Sequence, residues 1–326
     1  MNSFTAAARL MITVMLAAVA GAVVAQETYP VKPVRIIVPV GAGGATDIVA
    51  RTLGQQLASS WKEQVIVDNR PGGGSNIGSE AAARATADGY TLLLAQPALT
   101  VNVSLYTKLA YDPIRDFSAV TLVGTSTNVL VVHPSLAAHS LKDLIALGKA
   151  KPGQLTFASS GNGTTLHMSG ELFKSMTGVN MQHVPYKGAS QAATDLLGGH
   201  VDMAFVSLAS VVPQLNAKKL RALAVTSERR SPLMPDLPTF AEAGLPDFEI
   251  YGWFGIVVPA GTPRKIVERL FSDIRGALRR PEFVQVLGAS GIDPAGSASP
   301  EAFAAFLRAD IAKWAKVVKA SGAKAE

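Results

Sequence analysis

Residues 34–47 read Val34-Arg-Ile-Ile-Val-Pro-Val-Gly-Ala-Gly-Gly-Ala-Thr-Asp47, a β-branched run that passes through a glycine-rich turn into a helix start. Just beyond it Val49, Leu53 and Leu57 stand four apart, on one face of an amphipathic helix. Strand, glycine turn and helix form the basic unit of an α/β protein, and the same grammar recurs along the chain. Residues 65–67 predict a strand, PGGGSN a loop, 77–84 a helix and 90–95 another strand. Two apolar runs, TLVG and NVLVV, lie within 120–133, after which Ser140 and Asp143 make a capping box that opens the helix LKDLIALGKA.

A second α/β series follows. Strands are predicted at 155–158, 181–186, 201–206 and 221–226, with helices at 164–176 and 189–197 between them. An extended apolar run covers 248–258, and helical patterns at 263–279, 281–287 and 300–320 close the chain. The alternation predicts largely parallel sheets. The last helix carries Phe303, Phe306, Ile311, Trp314 and Val318 at roughly helical spacing and must pack on something; the N-terminal sheet is the economical partner. This gives a discontinuous first lobe, 27–127 plus 252–326, with a second lobe at 128–251 and two extended segments crossing between them as a hinge. No residue-level repeat relates the halves; the recurrence is architectural.

The 326 residues are 48% hydrophobic and 17% charged, which excludes a disordered or collagenous chain. The absence of cysteine removes thiol nucleophiles, CxxC redox motifs and Cys-ligated metals. The net charge of +6 comes without a dense Lys/Arg run interleaved with aromatics, so nucleic acid is not the expected partner. A mild positive balance suits an anionic small molecule or an acidic surface. Near the N-terminus, Arg9 precedes the uncharged stretch LMITVMLAAVAGAVVA at 10–25, followed at once by Gln26 and Glu27. This stretch is shorter than the roughly 20 residues a membrane span requires. With Val23 and Ala25 fitting a signal-peptidase site, 1–25 reads as a cleavable secretory signal and the mature chain as extracytoplasmic.

Two loops are placed to hold an anion. The first, Gly41 to Asp47, joins a strand to a helix, where backbone N–H groups and the helix dipole favour negative charge. A plain turn capped by Thr46 or Asp47 is the alternative. The dinucleotide fingerprint would need glycine where Thr46 stands, and the P-loop would need Gly-Lys-Ser/Thr. The second loop, Ser159-Ser-Gly-Asn-Gly-Thr-Thr-Leu-His167, follows a strand and opens a helix; Ser160, Thr164 and Thr165 supply hydroxyls. Its alternative reading has Thr164 capping the helix while His167 faces the interior. The Arg70-Pro-Gly-Gly-Gly-Ser75 stretch reads first as a turn, with a third anion-holding loop as the alternative.

Catalytic patterns are weak. No Gly-x-Ser-x-Gly elbow occurs, and the five histidines contain no His-x-x-x-His pair, which leaves neither a serine hydrolase nor a catalytic zinc site supported. Asp195 and Asp202 read as helix-end and turn residues before they read as paired carboxylates. Lys187 is read equally as facing an anion or solvent. No cofactor is implied, and the chain is read as a binding protein and not as an enzyme.

Many short motifs in a fixed order resemble the solute receptors of tripartite tricarboxylate transporters, the Bug or TctC family of extracytoplasmic binding proteins. They run from Tyr29-Pro-x-Lys-Pro-Val-Arg-Ile-Ile-Val-Pro39 into Ala42-Gly-Gly-x-x-Asp47, and through Asn69-Arg-Pro-Gly72, Asp88-Gly-Tyr-Thr-Leu92 and Ser159-Ser-Gly-x-Gly-Thr164. They continue with His183-Val-Pro-Tyr-Lys-Gly188, Asp195-Leu-Leu-Gly-Gly199, Arg221-Ala-Leu-Ala-Val-Thr-Ser227 and Pro259-Ala-Gly-Thr-Pro263. The resemblance implies a two-lobed, type II periplasmic-binding-protein clamshell that captures an organic carboxylate between lobes and delivers it to a two-component membrane permease. A sensor for the same ligand and, less favoured, an organic-acid enzyme are the alternatives. The implied ligand-binding residues are Val40, Ala42, Gly43, Gly44, Asp47 and Gln96 on the first lobe. On the second they are Ser159, Ser160, Gly161, Thr164, Thr165, Tyr186 and Ser207. A monomer is the default for a receptor docking by one face. Position 40 often bears an aromatic in that family; Val40-Gly41 here implies a roomier floor.

Overall fold

The computed structural model describes residues 29–159, 161, 164–186, 189–248 and 250–324. The predicted signal, together with Ser160 and Lys187, lies outside the described residues. Residues 32–326 form one unit built on two sheets.

The first sheet contains β1 (Val34–Val38), β2 (Val65–Asn69), β3 (Thr91–Ala95), β4 (Phe117–Ser126), β10 (Gly252–Pro259) and β11 (Ile292–Pro294), in the order β11-β4-β10-β3-β1-β2. The second contains β5 (Asn128–Val132), β6 (Leu155–Ser159), β7 (Met181–Pro185), β8 (Met203–Ser207) and β9 (Arg221–Val225), in the order β7-β6-β8-β5-β9. β1 pairs in parallel with β2 and β3, as β6 does with β7 and β8. The sheets are nevertheless mixed, not largely parallel. β10 runs antiparallel to both β3 and β4, and β5 antiparallel to both β8 and β9. The reason is connectivity: β4 leads through Thr127 alone into β5 of the other sheet, and β10 brings the chain back after 226–251. Where the two segments cross, Thr226 donates its N–H and its hydroxyl to the Asn128 carbonyl, at 2.9 and 3.2 Å, while Ser126 pairs with Gly252.

The first α/β unit forms as its pattern dictates. Helix α1 (Ala45–Trp61) buries Val49, Leu53 and Leu57 and ends at Lys62 in a left-handed conformation. It packs against β2 and against the later helices α8 (Arg264–Ala277) and α9 (Pro281–Ala289). Helix α2 (Asn76–Ala83) follows a short 3-10 turn, Gly73–Ser75. Helix α3 (Ala98–Leu105) was not predicted: its sequence, ALTVNVSL, is rich in β-branched residues and buried on several sides, so no amphipathic stripe marks it.

In the second sheet's layer, α4 (Leu141–Ala150) starts with Ser140 Oγ accepting the Asp143 N–H at 3.1 Å, while the Asp143 carboxylate accepts the His139 N–H at 3.0 Å. This is the predicted capping box shifted outward by one residue. Helices α5 (Thr165–Thr177), α6 (Ala189–Leu197) and α7 (Leu208–Asn216) complete the layer; Pro213 inside α7 hid that helix from pattern reading.

The closing helix, α10 (Pro300–Ser321), has a full set of end signals: Ser299 Oγ accepts the Ala302 N–H, Pro300 opens it, and Gly322 ends it in the left-handed region. Its first half does what the sequence suggests. Phe303 and Leu307 join a core with Trp253, Val257, Leu93 and Ile37 of the first sheet. The second half does something else. Trp314, Val317 and Val318 enter the core built around Phe157, Phe205, Phe240 and Leu130 of the second sheet, together with Val101 and Leu105 of α3. Between the halves, Asp310 accepts the Thr100 hydroxyl at 2.6 Å and the Trp253 indole N–H at 3.1 Å. Burial pushes its pKa up against the opposing pull of those hydrogen bonds.

Candidate functional site

The first-lobe loop leaves β1 at Val38 and enters α1 at Ala45. Gly41, Ala42, Gly43 and Gly44 are exposed, and a Cβ placed on Gly41, Gly43 or Gly44 would meet open space. Gly43 has φ +88°, a conformation natural to glycine. The loop is held from behind by Asp47, which is 3% exposed. Its Oδ2 accepts the Gly43 N–H at 2.9 Å and the Arg51 Nε at 2.9 Å, and its Oδ1 accepts the Asn69 side-chain amide at 3.0 Å. Asn69 Nδ2 also reaches the Val40 carbonyl at 3.1 Å. Burial tends to raise the Asp47 pKa, but the hydrogen bonds from Arg51, Gly43 and Asn69 outweigh it and hold the carboxyl below its usual range. Asp47 is therefore an anion already satisfied by the loop it organises.

Gln96, just past β3, joins this loop to its neighbour. Its Oε1 accepts the Thr46 hydroxyl at 2.9 Å, and its Nε2 donates to Ser75 Oγ at 3.0 Å. The Gly-rich stretch before α2 is a run of positive-φ residues, Gly72, Gly73, Gly74 and Ser75, with the Gly74 carbonyl accepting Asn102 Nδ2 at 2.8 Å. Turn formation, the first reading of that stretch, describes it. Val40, Gly43 and Asp47 are thus tied together through Asn69, and Gln96 joins them through Thr46; the sequence had offered Thr46 only as a cap and Asn69 only as part of a motif, neither as a link in the site. The signal for Asn69 was present: a polar residue at the exact point where an apolar strand meets Arg-Pro-Gly.

On the second lobe, Ser159 ends β6 and is 1% exposed. Its Oγ accepts the Gly161 N–H at 3.2 Å and lies 2.7 Å from His183 Nε2. Gly161 has φ +125°, and its carbonyl accepts the Thr164 hydroxyl at 2.8 Å. Thr164 Oγ1 in turn accepts the His167 N–H at 3.3 Å as the cap of α5. Thr165, in the first turn, offers its carbonyl to Ser169 Oγ at 2.8 Å.

Behind this loop three rings stack. His167 and His183 lie 4.1 Å apart between centroids, and Phe157 lies 4.8 Å from His183. Burial, then the neighbouring His183 and Lys174, pushes the His167 pKa down to about 3; burial and Lys174 push His183 down to about 4. Both rings are neutral at physiological pH. Glu171, 3.8 Å from His167 Nε2, is engaged instead by the Lys174 ammonium at 3.0 and 3.1 Å.

Tyr186 follows β7, its N–H on the Ser159 carbonyl at 3.0 Å. Its hydroxyl donates to Asp195 Oδ2 at 2.6 Å, and desolvation, reinforced by that carboxylate, pushes the phenol pKa up to about 12. Tyr186 and Asp195, with Gln191 and Thr194, line a hollow of about 430 Å³. Asp202 is occupied elsewhere, taking the Thr156 N–H and hydroxyl at 2.8 and 3.0 Å, so the two aspartates do not form a carboxylate pair. Ser207 ends β8 opposite Asn128, beside the first crossing. Among the described residues no group of three His, Asp or Glu side chains is placed to hold a metal ion.

Two mixed α/β sheets linked by two crossing segments, each sheet carrying a glycine loop that opens a helix, define a two-lobed solute-binding protein. Residues 49–323 match the family described as the tripartite tricarboxylate transporter family receptor, and the chain belongs to that family. It is 40% identical to Protein BugT of Bordetella pertussis over 303 residues, covering 92% of this chain and 93% of that one. The structure of the periplasmic binding protein BugD superimposes with a TM-score of 0.79 at 33% identity, covering 91% of this chain and all of BugD. Rpa4515 of R. palustris, solved with adipate, gives a TM-score of 0.81 at 37% identity and covers 90% of this chain and 98% of that one. The role is that of a periplasmic solute-binding receptor, and the family is one of receptors and not of enzymes.

Proposed function

We propose that the chain captures a small organic carboxylate between a lobe formed by 27–127 with 252–326 and a lobe formed by 128–251, and passes it to a two-component membrane permease. The observation that carries this reading is the pair of strand-to-helix loops, one on each sheet, whose helix starts carry amides suited to an anion. The first presents exposed backbone at 41–44. The second presents Gly161, Thr164 and Thr165, with Ser160 in the same loop. Ligands of open α/β sheets bind in the crevice outside the carboxyl ends of parallel strands, where both loops lie. Rpa4515, a family neighbour of the same fold, was solved with a dicarboxylate. Closure about the two crossings would favour the ligand-bound population, and no chemistry on the ligand is required.

The test is a thermal-shift screen of residues 26–326, freed of copurified ligand, against adipate and a panel of di- and tricarboxylates, aromatic acids and amino acids. Ligand at 100 times its Kd adds about 2.7 kcal/mol of stability. A selective shift by one class of acid supports the reading. Silence across the panel, or an equal response to cationic compounds of the same size, overturns the carboxylate assignment.

A further inference from the structure

The two loops are held by the same device, although no sequence repeat relates them. In each, a glycine at positive φ donates its N–H to a buried side-chain oxygen of its own loop: Gly43 to Asp47 at 2.9 Å, and Gly161 to Ser159 at 3.2 Å. In each, that oxygen-bearing side chain is contacted by a nitrogen-bearing side chain on the neighbouring edge strand. Asn69 at the end of β2 holds Asp47 at 3.0 Å, and His183 on β7 meets Ser159 at 2.7 Å. Both edge strands run parallel to the strand that feeds the loop, with Asn69 in register with Val38 and His183 with Phe157.

We propose that His183 is a positioning residue of the receptor site: it fixes the Ser159 hydroxyl, and through it the Gly161 turn that presents the second-lobe loop to the ligand. This deepens the two-loop reading above and rests on it. The Ser159 hydroxyl has two acceptors in reach, the Gly161 carbonyl at 3.2 Å and His183 Nε2 at 2.7 Å, and its proton goes to the nearer, the neutral imidazole nitrogen. That leaves the Ser159 oxygen free to accept the Gly161 N–H. Ser159 then acts as a staple of the loop. The imidazole cannot take a second proton there without placing a buried charge beside His167 and facing Lys174, with Glu171 already engaged by that lysine.

Two substitutions separate the hydrogen bond from the stack. His183→Phe keeps a ring between Phe157 and His167 but loses the nitrogen; His183→Gln loses the ring but keeps an amide oxygen able to take the Ser159 proton. Adipate is the binding probe, by titration calorimetry, and amide hydrogen exchange over 159–168 in ligand-free protein is the second readout. The expected result for His183→Phe is at least a tenfold loss of adipate affinity and faster exchange in that segment. His183→Gln should stay within threefold of the parent and exchange normally. Unchanged affinity in folded His183→Phe, or the reverse order of the two variants, overturns the proposal. Failure of the parent protein to bind adipate counts against the ligand reading, and the exchange data then decide the positioning role alone: unchanged exchange in His183→Phe overturns it.

Discussion

Asn69 donates one side-chain amide to two acceptors, the Asp47 carboxylate at 3.0 Å and the Val40 carbonyl at 3.1 Å, and so fastens both ends of the first-lobe loop to strand β2. Asn69→Ala removes both contacts, but Asp47 keeps Gly43 and Arg51 on Oδ2, so the cost is that of about one deprived acceptor, about 1–3 kcal/mol where water cannot replace the partner. A loss of about 1–3 kcal/mol in urea unfolding is expected, with weaker ligand binding. Asn69→Asp should be worse at pH 7, because it sets a second carboxylate against Asp47, and should recover towards pH 4 as one of the pair takes a proton. Arg51→Ala, by contrast, removes a half-exposed partner of the same carboxylate and should cost under about 1 kcal/mol. Equal losses in the alanine variants at positions 51 and 69 would contradict this order.

The stacked histidines give stability a defined pH dependence. Both have folded pKa values depressed from 6.5, to about 3 for His167 and about 4 for His183. Between those values and 6.5 the unfolded chain binds more protons than the folded one, so stability is full above pH 6.5 and falls as pH drops towards 4. Proton uptake on unfolding near pH 5 should approach roughly two from this pair. His183→Phe should flatten the slope of stability against pH by about half. An unchanged slope in that variant would show that the ring is already protonated in the folded protein.

Gly170 on α5 lies against the Phe157 ring: a Cβ there would come within 2.1 Å of Phe157 Cε2. Helix propensity alone favours Gly170→Ala by roughly 1 kcal/mol. Overpacking a rigid core costs about 1–3 kcal/mol and should win, because Phe157 is fully buried and is itself part of the histidine stack. The expected outcome is a lower midpoint in thermal unfolding, with a perturbed aromatic signal from 157. A stabilised variant would mean that the ring moves aside freely and the stack behind the loop is loose.

How much of this was legible follows from the physics of each element. The loop of 41–47 was readable because strand, glycine and helix signals are all local. So was the second α/β series beyond residue 140, whose alternating strand and helix patterns are equally local. Antiparallel pairing of β5 and β10 was not readable, because strand direction is set by which sheet the chain has just left and leaves no mark in composition. Helix α3 was hidden by its burial; Asn69 and His183 stood in visible motifs, but the contacts they make were not readable because their partners lie 22 and 24 residues away. Gly43 and Gly161 drew attention to the loops, but the side chains that brace their holders Asp47 and Ser159 belong to the next strand over.

The closing helix supplies the last test. Phe303 and Leu307 belong to the first sheet's core and Trp314, Val317 and Val318 to the second's, so α10 couples the two lobes through a route separate from the crossings. If that coupling is energetic, damage at its far end must be felt in both sheets. Trp314→Ala, at a side chain 2% exposed, should cost about 3–5 kcal/mol. Native-state hydrogen exchange should then show protection falling by similar amounts in β8 of the second sheet and in β10 of the first, since Asp310, one turn earlier, ties the same helix to Thr100 and Trp253. Loss of protection confined to β8 would mean that the second half of α10 serves its own lobe alone, and that the two crossings carry all the mechanical connection between lobes.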